Sequence, residues 1–204
     1  MKATRSDSAA ESWFRSLNCD ARYGAALAGF LGAMLLLNLA GDPVRGLLCY
    51  EREALARFEW WRLLSAHLVH LGWIHVLLNC GGLLLLWMLY ARELTPARWL
   101  WIAGLSALAI DVGLWFREPD VEAYLGASGV LHGIWAAGAC AAYRRGDVMG
   151  AAMLLLLVVK LIYEQQSGAS VFEHDLPMVP AAHLFGALGG IIAAVLPRGA
   201  AKPL

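Results

Sequence analysis

The chain has 204 residues, of which 60% are hydrophobic and only 16% are charged. A soluble domain carries roughly 25% charged residues, so this composition predicts one membrane-embedded domain. Lys and Arg together equal Asp and Glu, at 16 each, so net charge gives no argument for a nucleic-acid partner.

Six apolar runs, each close to the length of a membrane-crossing helix, predict an all-α polytopic bundle. In chain order they are Tyr23–Ala40, Ile74–Tyr90, Trp99–Phe116, Ser128–Tyr143, Val148–Tyr163 and Ala181–Leu196. The first run is longer than the apolar core of a signal peptide, which predicts an uncleaved helix. The membrane domain is therefore expected at 23–196, between short cytoplasmic tails at 1–22 and 197–204.

The segment Gly41–Trp73 interleaves charged residues with tryptophan and phenylalanine. It is too polar to cross a membrane and too aromatic for a free loop, which predicts a structured segment at the interface. Among the later connections, Glu164–Pro180 is polar and contains Gly168 and Pro177, which predicts a loop.

Six helices place both chain termini on the same side of the membrane. Lys and Arg concentrate in the tails and connections on that side, whereas Asp and Glu concentrate on the other. The positive-inside rule therefore predicts cytoplasmic termini. The start of the chain has no transit-peptide pattern, which predicts the inner membrane of a bacterium.

Several polar side chains lie in or beside the apolar runs, where they are costly and indicate a functional site. His75 and Asn79 are four residues apart, as are Ser128 and His132, so each pair shares one helix face. His183 opens the sixth run. The predicted topology brings these five residues to one depth, toward the outer face. Together they offer a nucleophile, imidazole bases and oxyanion donors.

Other interpretations of these residues remain open. A Gly-Ser-Gly cluster in an apolar helix also permits close packing, and a histidine at a helix end also hydrogen-bonds a neighbouring helix. Three histidines at one depth could hold zinc, but no carboxylate or thiolate lies at ligand spacing with them, which argues against a metal. Asp111 and Lys160 raise a transporter as a further hypothesis, although Lys160 near a helix end can extend outward to water.

Four motifs in order resemble those of the rhomboid intramembrane serine proteases. They are Trp61-Arg62, His70-x4-His75-x3-Asn79, Gly126-Ala127-Ser128-Gly129 and Ala182-His183-x2-Gly186-x3-Gly190. The resemblance covers about Glu59 to Gly190 and implies a six-transmembrane-helix rhomboid-like bundle with a structured interfacial first loop. It implies cleavage of membrane-anchored protein substrates with a transmembrane segment, within the lipid bilayer, without a cofactor or nucleic acid.

By this resemblance Ser128 is the nucleophile and His183 the general base, in a dyad without a carboxylate. His75, Asn79 and the backbone N–H of Ser128 would form the oxyanion hole. Cleavage is expected near the outer face of the membrane.

The remaining motif residues take supporting roles by the same resemblance. His70 and Arg62 would order the first loop, and Gly126 and Gly129 would flank the serine. The segment Glu164–Pro180 would cap the site and move for substrate entry.

His132 departs from the pattern of many rhomboids, which carry tyrosine one turn after the serine. The short chain and the sequence Ser128-Gly-Val-Leu-His132-Gly resemble the rhombosortase branch, which implies removal of C-terminal sorting tails. His132 is expected to pack against His183 and orient it, and a share as base stays open. A catalytically silent rhomboid-like membrane-protein binder is the alternative function.

Overall fold

The computed structural model describes residues 21–90, 94–168 and 178–196. Nearly all of the predicted N-terminal tail, the whole C-terminal tail and most of the predicted capping loop therefore lie outside the described residues. The helices are α1 (Ala21–Leu39), α2 (Gly41–Leu48), α3 (Arg52–Ala56), α4 (Arg62–Ser65), α5 (Gly72–Tyr90), α6 (Pro96–Arg117), α7 (Ser128–Arg144), α8 (Val148–Ser167) and α9 (Pro180–Val195). Two short strands, β1 (Tyr50–Glu51) and β2 (Ala123–Tyr124), complete the described elements.

Each of the six predicted apolar runs is helical, as α1, α5, α6, α7, α8 and α9. Three of them are long and apolar enough to cross a membrane, namely α5, α6 and α8. A fourth candidate is the pair α1 and α2, which bends by 115° at its break. The helix α9 is apolar but shorter, and α7 has 17 residues. Within the described ranges the fold is thus mostly helical with three to four candidate spans, and the count of six stays a prediction.

The largest difference from the predicted boundaries is at the end of α8. The sequence placed that end at Tyr163, but the helix continues to Ser167 because Glu and Gln are good helix formers. Gly168 then adopts the left-handed conformation, with φ of 67°, and its N–H donates to the carbonyl of Glu164. Glu164 is consequently a helical residue, and its assignment to the loop was wrong.

The predicted structured first loop contains α2, β1, α3 and α4. Strand β1 pairs antiparallel with β2, matching Tyr50 with Tyr124. Both tyrosines are buried and share a core cluster with Ile110 and Leu114 of α6. The first loop is thereby packed directly against the segment that leads into α7.

Helix α9 packs mainly against α7 and α6. Glycines make the α7 contact a backbone contact: a methyl group on Gly186 would overlap the carbonyl of Gly129, and one on Gly190 would overlap the carbonyl of Gly133. The two pairs follow the same direction along both helices. This crossing brings the N-terminal ends of α7 and α9 side by side.

Candidate active site

Ser128 and His183 meet at the close crossing of α7 and α9. Ser128 is the first residue of α7, and His183 lies at the start of α9. The Ser128 Oγ–H donates to Nε2 of His183 over 2.8 Å. His183 is buried, with 5% of its surface exposed. The two residues for which the sequence predicted nucleophile and base roles are therefore in direct contact.

The second nitrogen of His183 contacts a residue that sequence reasoning missed. His183 Nδ1 lies 2.8 Å from Oε2 of Glu164, which is completely buried on α8. The other carboxylate oxygen, Oε1, accepts from the ammonium of Lys160 one turn earlier. The expected dyad without a carboxylate is thus wrong as a description of these contacts. Opposite charges at i and i+4 in an apolar run are the signal that could have found this pair.

The carboxylate determines which nitrogen of His183 carries the proton. An ionised carboxylate only accepts hydrogen bonds, so the short contact requires a hydrogen on Nδ1. Nε2 then presents a lone pair to the Ser128 hydroxyl. His183 is consequently held in the tautomer that can remove a proton from Ser128.

His132 contacts His183 through its ring face. The two imidazoles stack with centroids 4.1 Å apart and an interplanar angle of 14°. His132 Nδ1–H donates to the backbone carbonyl of Ser128 over 2.7 Å. The side-chain hydroxyl of Ser128 is bonded to His183, so this geometry favours His183 over His132 as the base.

A metal is the competing interpretation of this cluster, since His132, Glu164 and His183 each offer a ligand atom within 4.8 Å of the others. The reason given against zinc from sequence, the lack of a carboxylate, was wrong. The contacts nevertheless favour hydrogen bonding. Stacked rings direct their in-plane lone pairs side by side rather than toward one point. Both oxygens of Glu164 are already engaged, one with Nδ1 of His183 and the other with the ammonium of Lys160.

A cavity of about 680 Å³ adjoins the pair and is lined by Ser128, His132, Lys160 and His183 together with His75 and Asn79 of α5. His75 Nδ1 accepts from the N–H of Leu71 over 3.3 Å, which leaves Nε2–H as its free donor. Asn79 Nδ2 donates one hydrogen to the carbonyl of His75 over 2.9 Å and has a second available. Both predicted oxyanion residues therefore border the same cavity as Ser128.

Gly126 lies against His75 in a conformation that favours glycine. Its φ is 117°, and a methyl group there would lie 2.7 Å from Cε1 of His75. The Gly126 N–H donates to the carbonyl of Ala66 over 2.9 Å, and its carbonyl accepts from the Tyr124 hydroxyl over 3.0 Å. These bonds tie the segment before Ser128 to the first loop.

His70 provides a further link between the first loop and this segment. Its Nε2 accepts from the N–H of Ala127 over 3.3 Å. Burial, and to a smaller extent the nearby His75, lowers the pKa of His70 to about 3. The imidazole is therefore neutral near pH 7 and keeps the lone pair that this bond requires.

Arg62 is buried inside the first loop and hydrogen-bonds to several of its residues. It is 5% exposed, and its guanidinium donates to the carbonyls of Gly46 and Cys49 over 2.7 and 2.9 Å. It also donates to the carboxylate of Glu59 over 2.8 Å. These contacts are the kind that the predicted ordering role needs.

The two charges that suggested a transporter are engaged with different partners. Lys160 does not extend outward as expected: its side chain is 12% exposed and paired with Glu164. Asp111 is buried against His67, with 3.4 Å between Oδ1 and Nε2. Among the residues that line the cavity, Lys160 is present and Asp111 is not, so the two charges do not share a path.

Comparison with known proteins identifies the fold family. Residues 57–199 match the family model described as "Rhomboid domain", which is well over half of the chain. The chain belongs to the rhomboid family. The resemblance deduced from the four motifs is thus confirmed at the level of the family.

A relative in Bacillus subtilis (strain 168) carries the name "Putative rhomboid protease YdcA". It is 28% identical to this rhomboid over 141 residues, which cover 69% of each chain. Family membership and the apolar helices together indicate a multi-pass membrane protein. Rhomboid proteases act on membrane protein substrates within the bilayer, and membership of their family suggests a serine intramembrane protease here.

Proposed function

We propose that this rhomboid is an intramembrane serine endopeptidase that hydrolyses peptide bonds in membrane-anchored substrates. The observation that carries the proposal is the 2.8 Å hydrogen bond from Ser128 Oγ to His183 Nε2 beside a cavity of about 680 Å³. A serine hydroxyl becomes an effective nucleophile when an adjacent base takes its proton, and this pair has that arrangement.

The proposed reaction proceeds in two stages. Ser128 Oγ attacks the carbonyl carbon of the scissile bond while His183 Nε2 takes the hydroxyl proton. The C–N bond then breaks, His183 returns the proton to the leaving amine, and an ester to Ser128 remains. A water molecule, deprotonated by His183, hydrolyses that ester and restores the hydroxyl.

The negative oxygen of the tetrahedral intermediate is assigned to the N-terminal end of α7. The first N–H groups of a helix have no intrahelical partner, and the helix dipole favours negative charge there. His75 Nε2–H and Asn79 Nδ2 border the same cavity and supply side-chain donors. Each such donor typically contributes about 10²–10³ in turnover.

We further propose that the chain crosses a bacterial inner membrane six times, with both termini on the cytoplasmic side. This orientation places the cleavage near the outer face of the membrane. The asymmetry of Lys and Arg between the two sides supports this orientation. The sequence Ser128-Gly-Val-Leu-His132-Gly, which resembles the rhombosortase branch, supports a rhombosortase-type role, namely removal of C-terminal sorting tails.

The primary test uses purified protein in liposomes with a single-span substrate, together with a fluorophosphonate probe that labels active serines. Ser128→Ala should abolish both cleavage and labelling while unfolding at the wild-type temperature. The matched control is Ser106→Ala, because Ser106 is a buried serine on α6 without a hydrogen-bond partner among the described residues. That control should retain both signals.

Cleavage by Ser128→Ala at the wild-type rate would refute the proposal. Stable substrate binding without cleavage by the wild type or the Ser128→Ala variant would instead favour the silent binder. The rhombosortase role is tested separately by mass spectrometry of secreted and surface proteins from cells carrying either form. Altered C-terminal ends in the Ser128→Ala cells are the expected result, and unchanged chain ends would exclude this role.

A further inference from the structure

We infer that Glu164, held by Lys160, is a positioning residue for the proposed hydrolysis: it fixes the tautomer and orientation of His183. The inference rests on the proposed function, since it concerns how His183 acts on Ser128. It adds a carboxylate and an ammonium to a site that the four sequence motifs describe without either.

The contacts form one continuous chain across three helices. Lys160 donates to one oxygen of Glu164, the other oxygen accepts from His183 Nδ1, and His183 Nε2 accepts from Ser128. Glu164 is 0% exposed, and both of its carboxylate oxygens have a partner. Because each oxygen is hydrogen-bonded, the carboxylate has little freedom to rotate, and its orientation toward His183 is fixed.

The same contacts supply charge stabilisation when the reaction begins. His183 becomes an imidazolium as it takes the Ser128 proton, and the carboxylate 2.8 Å from Nδ1 stabilises that charge. In the resting state Lys160 offsets the charge of Glu164, because an unpaired carboxylate in an apolar helix bundle is strongly unfavourable. Lys160 thus keeps the carboxylate available to His183.

Replacing Glu164 by glutamine should reverse the tautomer of His183. An ammonium only donates, so Lys160 will bind the amide oxygen of the new side chain. The amide NH₂ must then face His183 and donate to Nδ1. This requires the hydrogen of His183 on Nε2, where it blocks proton transfer from Ser128. The change is nearly isosteric, so packing is kept. Lys160 loses its counter-charge, which lowers stability, and kcat is therefore measured on the folded fraction.

Removing Lys160 as well should partly reverse this effect. In the double variant Lys160→Met with Glu164→Gln, no ammonium competes for the amide oxygen. The amide can rotate so that its oxygen accepts from His183 Nδ1–H, which restores the productive tautomer. A glutamate with a purely structural role would show recovery in the unfolding temperature, because the double variant leaves no unpaired ammonium, but not in the kcat of the folded enzyme.

The experiment measures kcat, KM and the rate of fluorophosphonate labelling for both variants in liposomes. A carboxylate-to-amide change in a Ser-His-Asp triad lowers kcat by about 10⁴. We expect Glu164→Gln to lower kcat by about 10²–10⁴ with KM little changed, and the double variant to regain at least about tenfold in kcat. Labelling rates should follow the same order.

A kcat for Glu164→Gln within about tenfold of the wild type, or a double variant no faster than the single one, would overturn the inference. If Glu164→Gln does not fold, Glu164→Asp provides the test, because it keeps a charge for Lys160 but withdraws it from His183. Its kcat should fall at least about tenfold, and a wild-type kcat would overturn the inference equally. Failure of the proposed function is distinguishable, because then the wild type itself neither cleaves nor labels.

Discussion

Replacing Gly186 by alanine tests whether the close crossing of α7 and α9 holds Ser128 against His183. Gly186 lies three residues after His183 and faces Gly129, the residue after Ser128. An added methyl group would overlap the backbone carbonyl of Gly129, which cannot rotate away as a side chain can. The helices must therefore move apart where the two functional residues meet.

The size of the effect follows from the geometry. The methyl carbon would lie 2.0 Å from the Gly129 oxygen. Carbon and oxygen atoms pack about 3.3–3.6 Å apart, so relieving the overlap requires roughly 1.3–1.6 Å of added separation. The hydrogen bond from Ser128 to His183 is 2.8 Å long, so this shift takes it outside hydrogen-bonding range. A misplacement of about 1 Å typically lowers a catalysed rate by about 10².

Gly104→Ala is the matched control for this experiment. Gly104 is also inside an apolar helix, α6. Among the described residues, no atom outside its own stretch of helix lies within 4 Å of the position that its methyl group would take. Both variants gain the same helix propensity, about 1 kcal/mol, so a difference between them reports the crossing. Cleavage and fluorophosphonate labelling should fall about 10²-fold in Gly186→Ala and stay unchanged in Gly104→Ala. Equal activity of the two variants, both folded, would refute the reasoning.

The remaining predictions concern two histidines beside the site. His132→Tyr should keep partial activity, because a tyrosine ring can still stack on His183, whereas His132→Ala should lose more activity. Complete loss in His132→Tyr together with an active His183→Ala would instead make His132 the base and His183 the supporting residue. His70→Gln tests the lowered pKa of His70, which falls from 6.5 to about 3 on folding. The unfolded chain binds the extra proton between those pH values, so the stability that neutral His70 contributes is present above pH 6.5 and declines below it. Between pH 7 and pH 5.5 the wild type should lose about 1 kcal/mol more unfolding free energy than His70→Gln, measured by denaturation in micelles, and parallel losses would contradict this.

Much of the fold could be predicted because the apolar runs are long and separated by clear polar connections. The contact between Ser128 and His183 could be predicted because the expected topology places both at one depth and the resemblance to rhomboid proteases pairs them. The small-residue spacing of Gly186 and Gly190 was also visible in the sequence. The glycines of α7 that they contact, Gly129 and Gly133, were not identified. The choice of helix that packs against α9 depends on tertiary packing, which no single run of residues encodes.

Glu164 was missed because the predicted helix ended at the first charged residue after the apolar run. That rule works when a charge enters water, but here the helix continues and turns Glu164 inward toward His183. Continuing the helical period through Glu164 places it on the same face as Lys160, which is a local signal. That this face meets α9 at His183 is a tertiary fact, and the sequence carries no direct sign of it.

The contribution of the buried Lys160–Glu164 pair to stability is too small to explain its presence. Replacing a buried ion pair by apolar residues of similar size is often neutral or stabilising, by about 1–4 kcal/mol, so Lys160 and Glu164 are not explained by stability alone. Removing one partner leaves an unpaired buried charge and costs about 3–5 kcal/mol. If the pair serves His183, stability and turnover should respond differently when both residues are replaced. The double variant Lys160→Met with Glu164→Leu should keep or raise the unfolding temperature. Its kcat should fall, since no group is left to hold the Nδ1–H tautomer of His183.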